Sequence, residues 1–207
     1  LLDVEIVFKA SFDKANRTSI CSFRGPGLEK GMQMIGDIRE RYSIPVTTDI
    51  HESSQAAPVG EVVDIIQIPA FLCRQTDLLA AAAKTGRTVN IEKAQCRSGE
   101  DRGYPVEKGR ESGNDDVWLT ARGNSFGYNN LVVDFRNIPD MKRFAGRVIM
   151  DCTHTAQRPG AAGGKTGGNR ELATAKAIAA TAVGADGHFF WVQRDPAKAV
   201  SGGHKML

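Results

Sequence analysis

The sequence has 207 residues, of which 41% are hydrophobic and 25% are charged, and its net charge is +3. This composition is typical of a globular protein and excludes an intrinsically disordered chain. Acidic and basic residues are interspersed, so we expect no nucleic-acid partner, although local basic clusters can bind anionic metabolites. No apolar run approaches the ~20 residues that span a bilayer, so we expect no membrane partner.

The cysteines Cys21, Cys73, Cys96 and Cys152 are widely spaced and form no CxxC pair. This spacing is typical of reduced thiols in a cytosolic protein, and we expect a cytoplasmic location. We expect no signal peptide at the start of the chain. The chain begins with Leu and starts almost inside a predicted strand, from which we expect a fragment.

The first predicted element is a buried strand over the β-branched apolar run Val4 to Phe8. The next residues carry basic, amide and hydroxyl groups, namely Lys9, Lys14, Asn16, Arg17, Thr18 and Ser19. Arginine makes bidentate contacts with phosphate, and lysine supplies a compact point charge. Because ligands of parallel α/β folds bind beyond the carboxyl ends of strands, the segment predicts a site for a phosphorylated or carboxylated small molecule. The alternative is a solvated basic loop.

Strand-like and helix-like segments then alternate along the rest of the chain. Further strands are predicted at 44–50, 62–70, 88–91, 117–120, 148–152 and 188–192. Helices are predicted at 28–42, 55–62, 76–84, 139–144 and 170–183, with an irregular charged segment at 99–113 that is expected to form a loop and a short helix. Thr76 is a predicted N-cap and Gly86 a predicted helix end. The Gly-rich loop at 158–169 is either a mobile lid or a plain connection.

This alternation predicts parallel βα units. Seven such units without a Gly-rich nucleotide turn favour a closed (β/α)8 TIM barrel over an open sheet. Because a barrel normally needs eight units, we expect residues 1–207 to form a single barrel domain that is truncated at both ends. The missing parts would be the first strand and the last helix.

Polar residues follow the predicted strands at or just past their carboxyl ends, namely Lys9, Asp49, Gln67, Lys93, Arg122 and His154. In a barrel these ends converge on one mouth, where such enzymes act, so we expect a shared site. Each residue alone has a structural alternative. Asp49 is also suited to a helix cap, Gln67 to a satisfied core amide, and His154 to a hydrogen-bonded structural histidine.

Several blocks of the chain carry a family resemblance that covers nearly all of it. They are Phe8 to Arg17, Arg24 to Gly27, Thr48 to Glu52, Ile66 to Leu72, Arg74 to Leu78, Arg122-Gly123, Phe126 to Asp134 and Thr153-His154. With these blocks the chain resembles the 3-deoxy-D-manno-octulosonate 8-phosphate synthases. The resemblance implies a transferase of Kdo and lipopolysaccharide biosynthesis that condenses phosphoenolpyruvate with arabinose 5-phosphate and releases phosphate.

Two other functions stay open at this point. One is a barrel that binds phosphosugar or phosphoenolpyruvate but is catalytically impaired. The other is a related synthase that uses another aldose phosphate.

The resemblance also implies roles for the phosphoenolpyruvate contacts. The residues that match Lys9 and Lys14 hold the phosphoenolpyruvate end, and Lys14 is also close to the sugar. The residue that matches Arg122 grips the phosphoenolpyruvate phosphate near the backbone of Ala70. Cationic groups of this kind orient two anions that otherwise repel and stabilise the charge that develops. The resemblance also implies that Ser11 binds substrate.

For the sugar, the resemblance implies that Asn16, Arg17 and Thr18 hold the phosphate and that Asp49 and Gln67 line the channel. The residue that matches Arg74 reaches that phosphate from a neighbouring subunit, which implies a homo-oligomer. The residue that matches His154 stands near the attacking water and ligates the metal in metal-dependent members. The implied catalytic residues are therefore Lys14, Asp49 and His154.

The chain departs from the family pattern at positions that bear on substrate and metal binding. Glu92 stands where the family has a lysine that contacts phosphoenolpyruvate, and a desolvated carboxylate there repels phosphate. Lys93 is no assured replacement, because adjacent strand residues face opposite ways. Trp191 and Gly202 stand where metal-dependent members have acidic residues. The segment with the family's metal cysteine, or its asparagine, lies before residue 1. His154 alone remains of the metal ligands, so we expect no divalent metal and no other cofactor.

Overall fold

The computed structural model describes residues 4–17, 19–128, 130–162, 165–168 and 171–195. The chain divides into two compact units. The first comprises Leu1–Ile91 and Glu107–Val117, and the second comprises Glu92–Val106 and Trp118–Leu207. Both units combine parallel strands with helices, so the protein is of the α/β class.

The first unit is built on parallel strands that neighbour each other in chain order. They are β1 (Phe8–Lys9), β2 (Val46–Asp49), β3 (Ile65–Ile68) and β4 (Thr88–Glu92), whose last residue begins the second unit. Its helices are α1 (Leu28–Tyr42), α2 (Ala56–Gly60) and α3 (Thr76–Ala83), and α4 (Gly103–Glu111) ends in this unit. Every residue of β2 and β3 is buried, as expected for strands covered on both faces.

The second unit contains the parallel strands β5 (Val117–Ala121), whose first residue belongs to the first unit, β8 (Arg147–Asp151) and β11 (Gly187–Phe189), with β8 between the other two. Two antiparallel hairpins join β6 (Asn124–Ser125) to β7 (Leu131–Val132) and β9 (Gln157–Ala162) to β10 (Lys165–Gly168). The helices of this unit are α5 (Asn137–Lys142) and α6 (Glu171–Ala182).

Among the described residues, seven parallel strands and the helices between them confirm the predicted βα alternation. The closed barrel and the extent of the domain stay predictions. The strand predicted over Val4 to Phe8 is wrong in its extent, because only Phe8 and Lys9 pair with β2. Val4 and Ile6 lie outside the strand and are each 62% exposed. Pairing and burial, rather than β-branched composition, decide where a strand begins.

One local prediction also needs correction. Thr76 is not an N-cap, because α3 begins at Thr76 and Gln75 occupies the cap. The Thr76 hydroxyl instead accepts a hydrogen bond of 2.8 Å from the Lys108 ammonium. The described backbone of the Gly-rich loop, at 158–162 and 165–168, lies in the hairpin of β9 and β10, with an irregular register between Lys165 and Gly167. Whether it is a lid or a plain connection stays a prediction.

The four cysteines lie in the described part of the chain and form no disulfide there, which agrees with the predicted thiols. Cys152 is fully buried, and burial followed by the charge of Asp151 raises the pKa of its thiol to about 12. Within the described ranges, none of the helices has the length and apolar character needed to cross a bilayer.

Candidate active site

The basic loop after β1 is held in place by the buried ring of Phe12, which is 2% exposed. Two glycines allow the chain to pass close to this residue. A Cβ on Gly25 would lie 2.3 Å from the Phe12 carbonyl oxygen, and one on Gly31 would lie 2.3 Å from the Phe12 Cβ. Gly25 also has a φ of 140°, which L side chains rarely adopt. The turn at Gly25 and the start of α1 therefore fix the neighbouring residues of the loop.

Asp49, at the end of β2, is the centre of a hydrogen-bonded cluster in the first unit. The Ser11 hydroxyl donates to Asp49 Oδ1 at 2.5 Å, and the Lys14 ammonium donates to Ser11 Oγ at 2.8 Å. Lys9 Nζ lies 3.6 Å from the same carboxylate oxygen. His51 Nε2 lies 3.1 Å from Asp49 Oδ2. We call Lys9, Ser11, Lys14, Asp49 and His51 the Asp49 cluster.

This environment keeps Asp49 ionised. Burial by itself raises the pKa of the carboxyl. The Lys9 ammonium, the His51 hydrogen bond, the Lys14 charge and the Ser11 hydroxyl outweigh burial, so the pKa lies far below its usual range. The next helical turn has Glu52 at its N-cap, so the helix-cap interpretation of Asp49 is wrong.

Because the folded-state pKa of Asp49 is lowered, the carboxylate stabilises the fold above the pKa of the unfolded chain. That contribution is lost progressively as the pH falls below the pKa of the unfolded carboxyl toward the lowered pKa of the folded state. We expect Asp49→Asn to lower the free energy of unfolding at pH 7 by on the order of 2 kcal/mol and to flatten its dependence on pH. Urea unfolding at pH 2.5 to 7 measures both effects, and Asp37→Asn, at an exposed position, is the control. If the free energy of unfolding of Asp49→Asn depends on pH as that of the wild type does, the stabilising role of the Asp49 carboxylate is wrong.

A row of polar side chains continues from Asp49 across the neighbouring strands. Asp49 is in register with Gln67 of β3, and Gln67 is in register with Asn90 of β4. Side chains in register on parallel strands project from the same face. The structure thus places Gln67 beside Asp49 and adds Asn90 to the row.

The sequence around Asn90 carries a signal for this position. Thr88, Asn90 and Glu92 alternate with the buried residues Val89 and Ile91. That alternation of period two predicts a strand face with polar side chains. His51 was also missed as a cluster member, although it lies two residues after Asp49. Its Nδ1 is buried and has no hydrogen-bond partner among the described residues.

The other predicted residues of the first unit lie outside these contacts. Asn16 is exposed, and Arg17 Nε donates to the Phe23 carbonyl at 3.3 Å. Ala70 is buried where the helical turn after β3 begins. Arg74 is exposed, and its carbonyl accepts a hydrogen bond from Lys108. Thr18 and Gly202 lie outside the described residues.

In the second unit, Arg122 directly follows β5 and forms an ion pair with Glu92. The distance from Arg122 Nε to Glu92 Oε2 is 3.5 Å. The two side chains are only 11% and 12% exposed, so solvent screens the pair less than a surface pair. Glu92 was expected to oppose an anion at this position, but a direct partnership with Arg122 was not predicted. An anion that binds Arg122 therefore has to compete with the carboxylate of Glu92.

His154 is oriented by Asp151, a fully buried residue at the end of β8. Asp151 Oδ1 accepts from the backbone N–H groups of Thr153 and His154, and Oδ2 lies 2.6 Å from His154 Nδ1. Burial raises the pKa of Asp151, but His154 and, with a smaller effect, Arg122 lower it below the usual value. An ionised carboxylate only accepts hydrogen bonds, so His154 Nδ1 carries a proton and Nε2 is left for chemistry.

Asp151 was missed from the sequence, although it lies three residues before His154 at the end of an apolar strand. Two aromatic rings pack near the imidazole. The Phe189 ring is stacked with its centroid 6.0 Å away, and the Trp191 ring is tilted at 5.4 Å. The backbone N–H of Trp191 also donates to Thr153 Oγ1 at 2.8 Å, which holds this segment beside His154.

Comparison with known proteins identifies the family of the chain that carries these side chains. The sequence model of the DAHP synthetase I family matches residues 1–207. The chain belongs to the DAHP synthetase I family. It is 58% identical over 197 residues to a protein of Nitratidesulfovibrio vulgaris (strain DP4), a match that covers 95% of this chain and 72% of the relative. That relative is named 2-dehydro-3-deoxyphosphooctonate aldolase.

Two other members of the family with the same name match the whole chain. The protein of a Synechococcus species is 54% identical over 206 residues and is covered over 72% of its length. The protein of Fusobacterium nucleatum is 52% identical over 206 residues and is covered over 74% of its length.

For this family member, the described residues do not fit a divalent metal. In the ranges that the structure describes, no three His, Cys, Asp or Glu side chains are grouped in a way that could hold one. The neighbour of His154 on the side of β11 is the Trp191 ring rather than a carboxylate. A metal site needs several such ligands together.

Proposed function

We propose that this protein condenses phosphoenolpyruvate with arabinose 5-phosphate to give 3-deoxy-D-manno-octulosonate 8-phosphate and inorganic phosphate. The names of relatives that are 50% to 58% identical support this reaction. The observation that carries the proposal is the chain of hydrogen bonds from Lys14 through Ser11 to Asp49. These hydrogen bonds bring an oriented ammonium group and an ionised carboxylate together in the Asp49 cluster.

In this reaction, C3 of phosphoenolpyruvate bonds to the aldehyde carbon of the sugar, and the aldehyde oxygen takes up a proton. Water adds at C2, loses a proton, and phosphate leaves with cleavage of the C–O bond. Lys14 stabilises the negative charge that develops on the aldehyde oxygen, and Lys9 contributes to the same positive field. Asp49 holds both ammonium groups and, with Gln67, contacts sugar hydroxyls.

We assign the phosphate of phosphoenolpyruvate to Arg122 and the adjacent backbone role to Ala70. His154 accepts the proton of the attacking water at Nε2, because Asp151 fixes the proton on Nδ1. The buried carboxylate of Asp151 then stabilises the imidazolium that forms. These assignments give each catalytic step a group of suitable charge.

The sugar phosphate is assigned to Asn16, Arg17 and Thr18. Arg74, which is exposed, serves the same phosphate in a neighbouring copy, so we propose that the protein acts as a homo-oligomer in the cytoplasm. Exposed Phe71, which is 74% accessible and lies three residues before Arg74, supports a contact surface there.

The test is phosphate release from the purified protein with both substrates together, with each alone, and with EDTA. We expect release only with both substrates and the same rate after EDTA treatment, because the reaction is proposed to need no metal. A rate that EDTA abolishes and a divalent metal restores would overturn the metal-free proposal. No release under any condition would overturn the synthase.

A second candidate is a protein that binds phosphoenolpyruvate without turnover. The Glu92–Arg122 ion pair favours it, because the arginine is already partly neutralised. Calorimetric titration with phosphoenolpyruvate distinguishes the two functions. Binding without phosphate release supports the second candidate, and binding with release supports the first.

A further inference from the structure

Lys93 is a fully buried lysine whose ammonium group is surrounded by backbone oxygens. Its exposure is 0%. Nζ donates to the carbonyls of Ala94 at 3.3 Å, Arg97 at 2.9 Å and Gly123 at 3.2 Å. Burial of an ammonium group is costly unless hydrogen bonds replace its water, and these three carbonyls supply that replacement.

The position of Lys93 links it to the ion pair described above. Lys93 directly follows Glu92, and Gly123 directly follows Arg122. Glu92 and Arg122 meet through their side chains, while Lys93 bonds the carbonyl next to Arg122. The backbone N–H of Lys93 also donates to Thr120 at 2.8 Å. The segment Glu92-Lys93 is thus joined to the segment that ends at Gly123 both by the Glu92–Arg122 ion pair and by the hydrogen bonds of Lys93.

The segment after Arg122 is held to the loop after β4 by further bonds. Asn124 Nδ2 donates to the Arg97 carbonyl at 3.1 Å, which also accepts from Lys93. The Ser125 N–H donates to the Gln95 carbonyl at 3.0 Å. Gly123 has a φ of 84°, so the chain turns sharply directly after Arg122. The Lys93 ammonium group is the charged member of this set of bonds.

We propose that Lys93 is a positioning residue for Arg122. It does not touch the substrate; it fixes the turn at Gly123 and so keeps the guanidinium at a set place when an anion competes with Glu92. Without the hydrogen bond from Lys93 to the Gly123 carbonyl, the Arg122 guanidinium moves toward Glu92 and away from the anion. The inference rests on the proposed function, in which Arg122 binds the phosphate of phosphoenolpyruvate.

The experiment compares Lys93→Met, Arg122→Ala and the double variant by calorimetric titration with phosphoenolpyruvate and by steady-state kinetics. We expect Lys93→Met to raise both the Kd and the KM for phosphoenolpyruvate at least fivefold, with the KM for arabinose 5-phosphate changed less than twofold. In the Arg122→Ala background, Lys93→Met should change the Kd by less than twofold, because interacting residues are not additive.

Lys142→Met is the matched control, because Lys142 also donates to a backbone carbonyl, Gly184, in the same unit. It should lower the melting temperature without changing the Kd for phosphoenolpyruvate. Additive effects of Lys93→Met and Arg122→Ala, or an unchanged Kd in Lys93→Met, would overturn the inference. If the wild type binds phosphoenolpyruvate but releases no phosphate, the proposed synthase fails while the titrations still decide the role of Lys93.

Discussion

Glu92→Lys should lower the KM for phosphoenolpyruvate about tenfold or more, which corresponds to ~1.4 kcal/mol, and should raise the rate of phosphate release. In the wild type, Glu92 lies 3.5 Å from Arg122 and occupies the guanidinium that we assign to the phosphate. At about 4 Å and an effective dielectric constant of ~20, two unit charges interact by about 4 kcal/mol. The change in interaction energy on replacing the negative charge with a positive one is therefore larger than the ~1.4 kcal/mol that a tenfold change in KM requires.

Glu92→Lys should also lower the melting temperature in the absence of ligand, because two positive side chains then face each other. Saturating phosphoenolpyruvate should restore it, since a ligand that binds the folded state stabilises that state. Thermal unfolding with and without the ligand, together with initial rates of phosphate release, measures both effects.

The controls separate the loss of Glu92 from a general change in charge. Glu92→Gln should give an intermediate KM, because it removes the repulsion without adding a charge. Glu100→Lys makes the same change in net charge at an exposed position of the same unit and should leave the KM unchanged. A wild type that is already fast, combined with a Glu92→Lys variant that is no faster, shows that our interpretation of Glu92 is wrong.

Lys14→Met should reduce kcat/KM for the condensation by about a hundredfold or more, the cost typical of losing a group that stabilises developing charge. The ammonium group of Lys14 is aimed by Ser11, whose hydroxyl is in turn fixed by Asp49. A neutral side chain of similar length keeps the packing but removes the charge. Steady-state kinetics with each substrate varied in turn measures the loss.

Lys30→Met is the control for this variant, because Lys30 is an exposed lysine on α1. It should retain wild-type kinetics. Lys14→Arg should not restore the rate, since a planar guanidinium cannot replace a compact ammonium group in the hydrogen bond to Ser11. A loss smaller than threefold in Lys14→Met would remove Lys14 from the catalytic residues.

Local patterns predicted the elements of the fold well. The spacing of apolar residues predicted a helix at 28–42, and α1 is Leu28–Tyr42. Among the described residues, each parallel strand overlaps a predicted one, but β1 contains only Phe8 of its predicted run and β11 ends at Phe189 rather than Val192. Strand pairing, which apolar composition does not report, sets these bounds. Thr76 was misplaced as a cap for a similar reason, since its hydroxyl serves Lys108 from a distant segment.

The sequence by itself determined the family, the α/β class and the kinds of groups available for chemistry. These depend on residue identity, on order along the chain and on periods of a few residues. Only the tertiary structure decided the partners: Ser11 with Asp49, 38 residues apart, Glu92 with Arg122, and Lys93 with the carbonyl of Gly123. Such partners are set by strand register and loop packing, which bring together atoms that no local pattern relates.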